Sequence, residues 1–155
     1  MSIWKYEIRK NYGIKYLDTI PLKALWVTHC SKTKTGKTKS VPKEFYVSPR
    51  CLLFYTTMEK YNFPYGIISD KYGIHFYDEE LEWYDIHPSK LSIKQKMVLG
   101  KIIKEKLSNR KYENMVYYAG NVYLWVRPYL EILKYSGIPT FYVQSLKNEN
   151  LFRGR

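Results

Sequence analysis

The sequence predicts an α/β domain, a mostly parallel sheet flanked by helices and preceded by an N-terminal antiparallel hairpin. Three observations lead there. From residue 24 onward, short apolar runs alternate with stretches of helical spacing, the rhythm of parallel sheets with crossover helices. Two of those stretches open on strong helix-start signals, Ser48-Pro49 and Ser92 with Gln95 three residues on. The first twenty residues instead alternate at period two, as a half-buried strand does. The 155 residues suffice for one core, so a single domain over 1–155 is expected.

In chain order, Trp4, Tyr6 and Ile8 alternate with Lys5, Glu7 and Arg9. A turn at Asn11-Tyr12-Gly13 follows, and Ile14, Tyr16 and Ile20 form the return strand of a hairpin over 1–20. The core over 24–143 then reads β-α-β-α-β-α-β. Ala24-Leu25-Trp26-Val27 is the first strand, ending in Thr28-His29-Cys30. Ser48-Pro49 starts a helix that runs through Leu52, Leu53 and Met58 to about Tyr61. Tyr65 to Ser69 is the second strand. Ser92 caps a helix whose apolar stripe is Ile93, Met97, Gly100, Ile103 and Leu107. Met115 to Ala119 is the third strand, and Asn121 to Tyr135 the third helix, kinked or restarted at Pro128 and stopped by Gly137. Ile138 to Val143 is the last strand.

Composition narrows the partner. The chain is 45% hydrophobic and 17% aromatic, too apolar for a disordered tail. No apolar run approaches the ~18 residues of a membrane span, and Trp4, Lys5, Glu7 and Arg9 interrupt any signal-peptide pattern. Two cysteines exclude a disulfide framework and a Cys-based zinc site, so a soluble cytoplasmic protein is expected. The 26 Lys+Arg against 14 Asp+Glu leave a formal charge of +12, pointing to nucleic acid or a nucleotide. The excess is uneven. Asp78, Glu79, Glu80, Glu82 and Asp85 sit together, whereas Lys32, Lys34, Lys37, Lys39 and Lys43 follow the first strand with no acid among them. Lysine suits point-charge contact with a phosphate backbone, for which Lys32, Lys37, Lys39 and Lys43 are the candidates.

Ligands of open α/β sheets bind beyond the carboxyl ends of the strands. Those ends carry His29-Cys30-Ser31-Lys32-Thr33-Lys34, Ser69-Asp70-Lys71-Tyr72-Gly73, Ala119-Gly120-Asn121-Val122-Tyr123 and Gln144-Ser145. Small, hydroxyl, amide and lysine side chains gather there while the strands stay apolar.

These segments also resemble an uncharacterised prokaryotic and phage family. The matching blocks are Cys30-Ser31-x-x-Lys34, Tyr46-x-Ser48, Ser69-x-Lys71-Tyr72-Gly73, Tyr84-Asp85 and Gly120-x-x-Tyr123, in this order over about 24–143. Asp70 stands where that family has Ala, and Trp83 where it has Pro. The first block is also similar to the Cys-Ser-x-x-Lys segment of archaeosine synthase, a tRNA base-modifying enzyme. The resemblance implies nucleobase, nucleotide or nucleic-acid chemistry without naming a reaction.

The candidate catalytic residues are Ser69, Asp70, Lys71 and Asp85. Asp70 could accept a proton, and a desolvated Lys71 could act as base or Schiff-base amine. Cys30, Ser31, Lys34, Ser48, Tyr72, Gly73, Tyr84, Gly120 and Tyr123 are candidates for holding a nucleotide or phosphate. Cys30 reads as a structural thiol, because His29 beside it on a strand points to the opposite face. Tyr72, Tyr84 and Tyr123 could stack on a base. The acidic stretch reads as a solvated loop, with Glu82 and Asp85 its best candidates for chemistry. The leading expectation is an enzyme, transferase or hydrolase, acting on a nucleobase or nucleotide within nucleic acid, by base modification or glycosidic-bond chemistry. Two other classes stay open: a Mg²⁺-dependent DNA or RNA nuclease using Glu82, Asp85 and Asp70, and a non-catalytic nucleic-acid binder. No metal ligand set is assigned, and the cofactor is left unknown.

Overall fold

The strand β2 (Ala24–His29) runs through the middle of a six-stranded sheet of order β1-β8-β7-β2-β4-β5. A computed structural model describes residues 3–30, 39–82, 84, 90–120, 126–147 and 149–152. The other strands of that sheet are β1 (Lys15–Tyr16), β4 (Tyr65–Ser69), β5 (Gly73–Phe76), β7 (Asn114–Tyr118) and β8 (Thr140–Val143). All neighbours pair in parallel except β4 and β5, which form an antiparallel hairpin. A separate antiparallel pair joins β3 (Lys39–Ser40) to β6 (Leu81–Glu82). Leu25 to His29 are all buried, the signature of a central strand covered on both faces.

Helices do the covering. The register sets Trp26 beside Tyr65 and Val116, and Val27 beside Gly66 and Tyr117. Phe54, from α3 (Pro49–Tyr61), meets the rings of Tyr65 and Tyr118, at 5.6 and 6.2 Å between centroids. Tyr129, from α5 (Arg127–Ser136), stacks on His29, which lies on the Val27 face with Tyr117. So α3 and α5 lie on opposite faces, because strand side chains alternate. On the α5 side, α4 (Ile93–Asn109) packs against α5, and α1 (Ile3–Tyr12) reaches it as well. The short α2 (Pro42–Phe45) packs on α3. At the opposite end of the sheet, Trp26 stacks on Phe63 and on Phe152 of a closing 3₁₀ turn (Glu149–Phe152).

The helix-start signals hold. Ser48 caps α3, its hydroxyl accepting from Cys51 N, and both bonds of the Ser92–Gln95 capping box are present. Pro128 begins α5 instead of kinking it, and the earlier start at Asn121 lies outside the described residues.

The N-terminal hairpin is corrected. Residues 3–12 form α1, and β1 joins the sheet edge parallel to β8. The pattern supports both periods, because Trp4, Ile8 and Tyr12 also recur every fourth residue, as one face of a helix does. Gly13 is then a helix stop in the left-handed region, φ 68°, its N–H donating to Arg9 O. A further strand, β5, has no counterpart in the β-α-β-α-β-α-β order read from sequence. Ser69 pairs with Gly73, so Asp70-Lys71-Tyr72 is a three-residue hairpin turn. Gly73 works in packing there, since a Cβ would come 3.0 Å from Leu99 O.

The apolar stripe of α4 is buried only from Leu99 onward; Ile93 and Met97 are exposed. Gly100 marks the crossing with α5, where an added Cβ would lie 2.8 Å from Ser136 N and Tyr135 C. Backbone cannot rotate away as a side chain can, so the helices would have to separate. Gly100→Ala is expected to cost about 1–3 kcal/mol of unfolding free energy, despite alanine's higher helix propensity. Chemical denaturation of the two proteins measures it; an unchanged midpoint would show that the helices tolerate the shift.

Candidate functional site at the carboxyl ends of β2, β4 and β7

The chain leaves β2 toward β4 on one side, and from β5 it crosses back through α4 to β7 on the other. Successive crossovers diverge at this point, where open α/β sheets form their ligand crevice. Cys30 follows β2 directly, and its N–H still donates to Ile68 O at 2.9 Å. Its thiol donates to Asp70 Oδ2 at 3.1 Å, and Tyr129 OH lies 3.4 Å from the sulfur. The Tyr129 hydroxyl also donates to Asp70 Oδ2 at 3.5 Å. Asp70 is 3% exposed, although it sits in a hairpin turn. A buried carboxylate is thus held by a thiol and a phenol from two other segments.

Burial sets the protonation states. Desolvation, with the Asp70 carboxylate beside it, pushes the Cys30 thiol up to about 12, so it stays a neutral donor. Burial raises Tyr129, Tyr117, Tyr46 and Tyr84 above the ordinary tyrosine value, Cys30 being the next cause for Tyr129, Tyr46 and Tyr84. His29 moves the opposite way, held neutral first by burial and then by the Arg50 charge. Its Nδ1 lies 2.8 Å from Tyr117 OH, and its ring stacks 4.7 Å from Tyr129.

A second network begins at Ser69. The Ser69 hydroxyl accepts from Lys71 N and Tyr72 N, closing the turn, and donates to Tyr84 OH at 2.8 Å. Tyr84 meets Tyr46 at 3.1 Å, and Tyr46 meets His75 Nδ1 at 3.4 Å. His75 Nε2 lies 2.6 Å from Glu79 O, a carbonyl that can only accept, so the proton of this ring sits on Nε2. Burial lowers the His75 pKa and favours the neutral ring, so Nδ1 accepts from Tyr46. Tyr46 in turn accepts from Tyr84. All the protons point one way, from Ser69 to His75.

The residues expected from sequence therefore divide. Asp70 and Cys30 come together. Ser69 and Tyr84 belong to the neighbouring chain, where Tyr84 packs against Phe45, Tyr46 and Tyr72. Tyr72 is half-buried, its hydroxyl donating to Glu82 O. Lys71 is exposed, its ammonium 5.2 Å from the Tyr72 ring centroid, so the desolvated Schiff-base lysine finds no support. Ser48 acts as a helix cap, Gly73 packs under α4, and Gly120 turns the chain after β7 with φ 64°. Lys39 is exposed on β3, and Lys43 pairs with Glu59 at 2.7 Å. Ser31, Lys32, Lys34, Lys37, Asp85 and Tyr123 lie outside the described residues.

The acidic stretch is corrected in part. Asp78 pairs with Arg110 at 2.7 Å and Glu79 with Lys106 at 3.1 Å, tying the loop to α4. Among the described residues no group of three His, Cys, Asp or Glu could hold a metal ion. Sequence reasoning missed Tyr129, His75 and Arg50. The nearest signals were Pro128 just before Tyr129 and Ser48-Pro49 just before Arg50, both marks of a first helical turn.

The chain belongs to a family of unknown function, DUF6884, whose family model matches residues 25–143. No curated protein and no solved structure matches it. No helix among the described residues is long and apolar enough to cross a membrane.

Stability should be bounded on both sides in pH. Cys30 ordinarily titrates at 9.0 but in the fold only at about 12, so unfolding releases its proton between those values. Its contribution is therefore complete below pH 9.0 and falls as pH rises toward about 12, with the buried tyrosines acting in the same direction. His29 and His75, ordinarily 6.5, are lowered, so their contribution is present above 6.5 and falls in acid. Thermal melts from pH 4 to 11 should show a maximum between these limits. Melting temperatures still rising above pH 10 would contradict the buried neutral thiol.

Proposed function

We propose that the protein is an enzyme acting on a nucleobase or nucleotide, with nucleic acid as the preferred carrier of that base. The observation behind this reading is the buried Asp70, held by Cys30 and Tyr129 at the divergence of the crossovers. A carboxylate so placed can take a proton from a ring nitrogen, or face the positive charge that develops on a sugar as its glycosidic bond loosens. The charge of +12 supports a polyanionic substrate. The similarity of Cys30-Ser31-x-x-Lys34 to a segment of archaeosine synthase points the same way. In this reading Asp70 is the catalytic residue. Cys30 and Tyr129 position it, and exposed Lys71 contacts phosphate.

The test is turnover of nucleosides, nucleotides, bulk tRNA and single-stranded DNA, followed by mass spectrometry of bases and nucleosides. Asp70→Asn keeps the shape of the side chain and removes its charge, and should lower the rate about 10²–10⁴-fold. Glu113→Ala, which breaks only the surface pair with Lys23, should act as wild type. Wild-type rates in both Asp70→Ala and Lys71→Ala would sink the reading. Salt-dependent binding of the strands without turnover of any substrate would replace it with a non-catalytic binder.

A further inference from the structure

Arg50 lies in the first turn of α3, and its guanidinium reaches back to the end of β2. Nη1 and Nη2 donate to His29 O at 3.1 and 2.9 Å, and Nη2 also donates to Cys30 O at 3.2 Å. These partners are neutral carbonyls. Among the described residues Arg50 has no carboxylate within ion-pair distance, whereas Arg110, also partly exposed, pairs with Asp78. A guanidinium carries five N–H groups in a planar fork, and the carbonyl bonds engage three of them. The cation is therefore fixed in place and only partly hydrogen-bonded, in a half-buried position where leaving it unpaired costs free energy.

Its surroundings fit an anion. A Cβ built on Gly120, which follows β7, would lie 3.8 Å from Arg50 Cδ, so the β7 turn passes beside the arginine stem. A residue with φ 64° there is best a glycine, and a Cβ on it would lie 3.9 Å from the Tyr118 hydroxyl as well as beside the arginine. On the other side, Cys30 offers its carbonyl to Arg50 and its thiol to Asp70. The arginine and the aspartate thus stand on either side of one residue without forming an ion pair. A ligand with an anionic end and a polar ring would match that pair.

We propose that Arg50 is the phosphate anchor of this crevice, binding a phosphate monoester or diester through the outer edge of its guanidinium. The anchor gives the enzyme reading its binding contact and rests on that reading for the nucleotide, though not for the anion. A planar fork that meets two phosphate oxygens is stronger and more directional than a lysine point charge. Arg50 would fix the phosphate while Asp70 meets the base or sugar beyond it.

The experiment is calorimetric titration of wild type, Arg50→Gln and Arg50→Lys with inorganic phosphate, the four ribonucleoside 5′-monophosphates and the matching nucleosides. Thermal melts check that the variants fold. Arg50→Gln should weaken monophosphate and phosphate binding by about 10- to 100-fold while changing nucleoside affinity less than twofold. Arg50→Lys should recover part of the loss, because it keeps the charge without the fork. Equal weakening of nucleosides and monophosphates would overturn the proposal, since it would mean that Arg50 only shapes the end of β2. Monophosphate affinity within twofold of wild type in Arg50→Gln would also overturn it and leave the enzyme reading standing. Wild type that binds no phosphate-bearing probe would overturn it as well. Phosphate bound through Arg50, with no nucleotide bound more tightly than phosphate itself, would support the anchor and remove the nucleotide.

Discussion

The parallel pairing of β2 with β4 on one edge and β7 on the other is the constraint from which the rest of the structure follows. Parallel strands end together, so three chain exits and their polar residues crowd at one side of the sheet. Helices cover both faces there, so a buried donor or acceptor left without a partner costs free energy. Thr28 shows the pressure at its simplest, its hydroxyl donating at 2.7 Å to Tyr118 O on the neighbouring strand. Cys30 shows it at its most demanding, with backbone N–H, carbonyl and thiol each bonded to a different segment.

That crowding separates two kinds of polar group. The Ser69–Tyr84–Tyr46–His75 chain ends on the Glu79 carbonyl, and its consistent proton direction engages every hydroxyl along it. Such a chain stiffens the hairpin turn that carries Asp70, because Ser69 also accepts two N–H bonds from that turn. The cluster at Cys30 is built differently. It contains a carboxylate and, across one residue, a guanidinium bound only to carbonyls, so it keeps opposite charges apart. The carboxylate is held by a thiol and a phenol and the guanidinium by two carbonyls, the arrangement on which the proposed function builds.

Much of the fold was legible in the sequence because helix starts are written locally. Ser48-Pro49 and the Ser92–Gln95 box marked α3 and α4 to the residue, and the apolar run Tyr65–Ser69 marked β4. The errors fell where one pattern serves two structures. Trp4, Ile8 and Tyr12 satisfy a helix as well as the alternation of a strand, and only packing against α5 decides between them. Gly73 to Phe76 could not be read as a strand, because its partner pairing and the α4 backbone above Gly73 are both tertiary. At the site, the segments Cys30-Ser31-x-x-Lys34 and Ser69-x-Lys71-Tyr72-Gly73 drew attention to Cys30 and the Asp70 turn but not to Tyr129 or Arg50. Those two enter through contacts spanning 99 and 20 residues, for which a single sequence carries no spacing rule.

The charge takes on a different meaning once its partners are placed. Asp78 and Glu79, read from sequence as a solvated loop, are drawn onto α4 by Arg110 and Lys106. Those pairs neutralise basic residues far along the chain from the crevice and leave Arg50 without a carboxylate among the described residues. The exposed Arg110–Asp78 pair contributes about 0–1 kcal/mol, whereas Lys106, partly buried with Glu79, also donates to Ile74 O and so fixes β5 to α4. Asp70 is the carboxylate that does come to the strand ends, and it bonds to the Cys30 thiol and the Tyr129 hydroxyl instead of to Arg50. Among the described residues Arg50 has no ion pair to displace, so the proposed phosphate contact would meet a guanidinium bound only to carbonyls, in a chain whose net charge of +12 suits a polyanion.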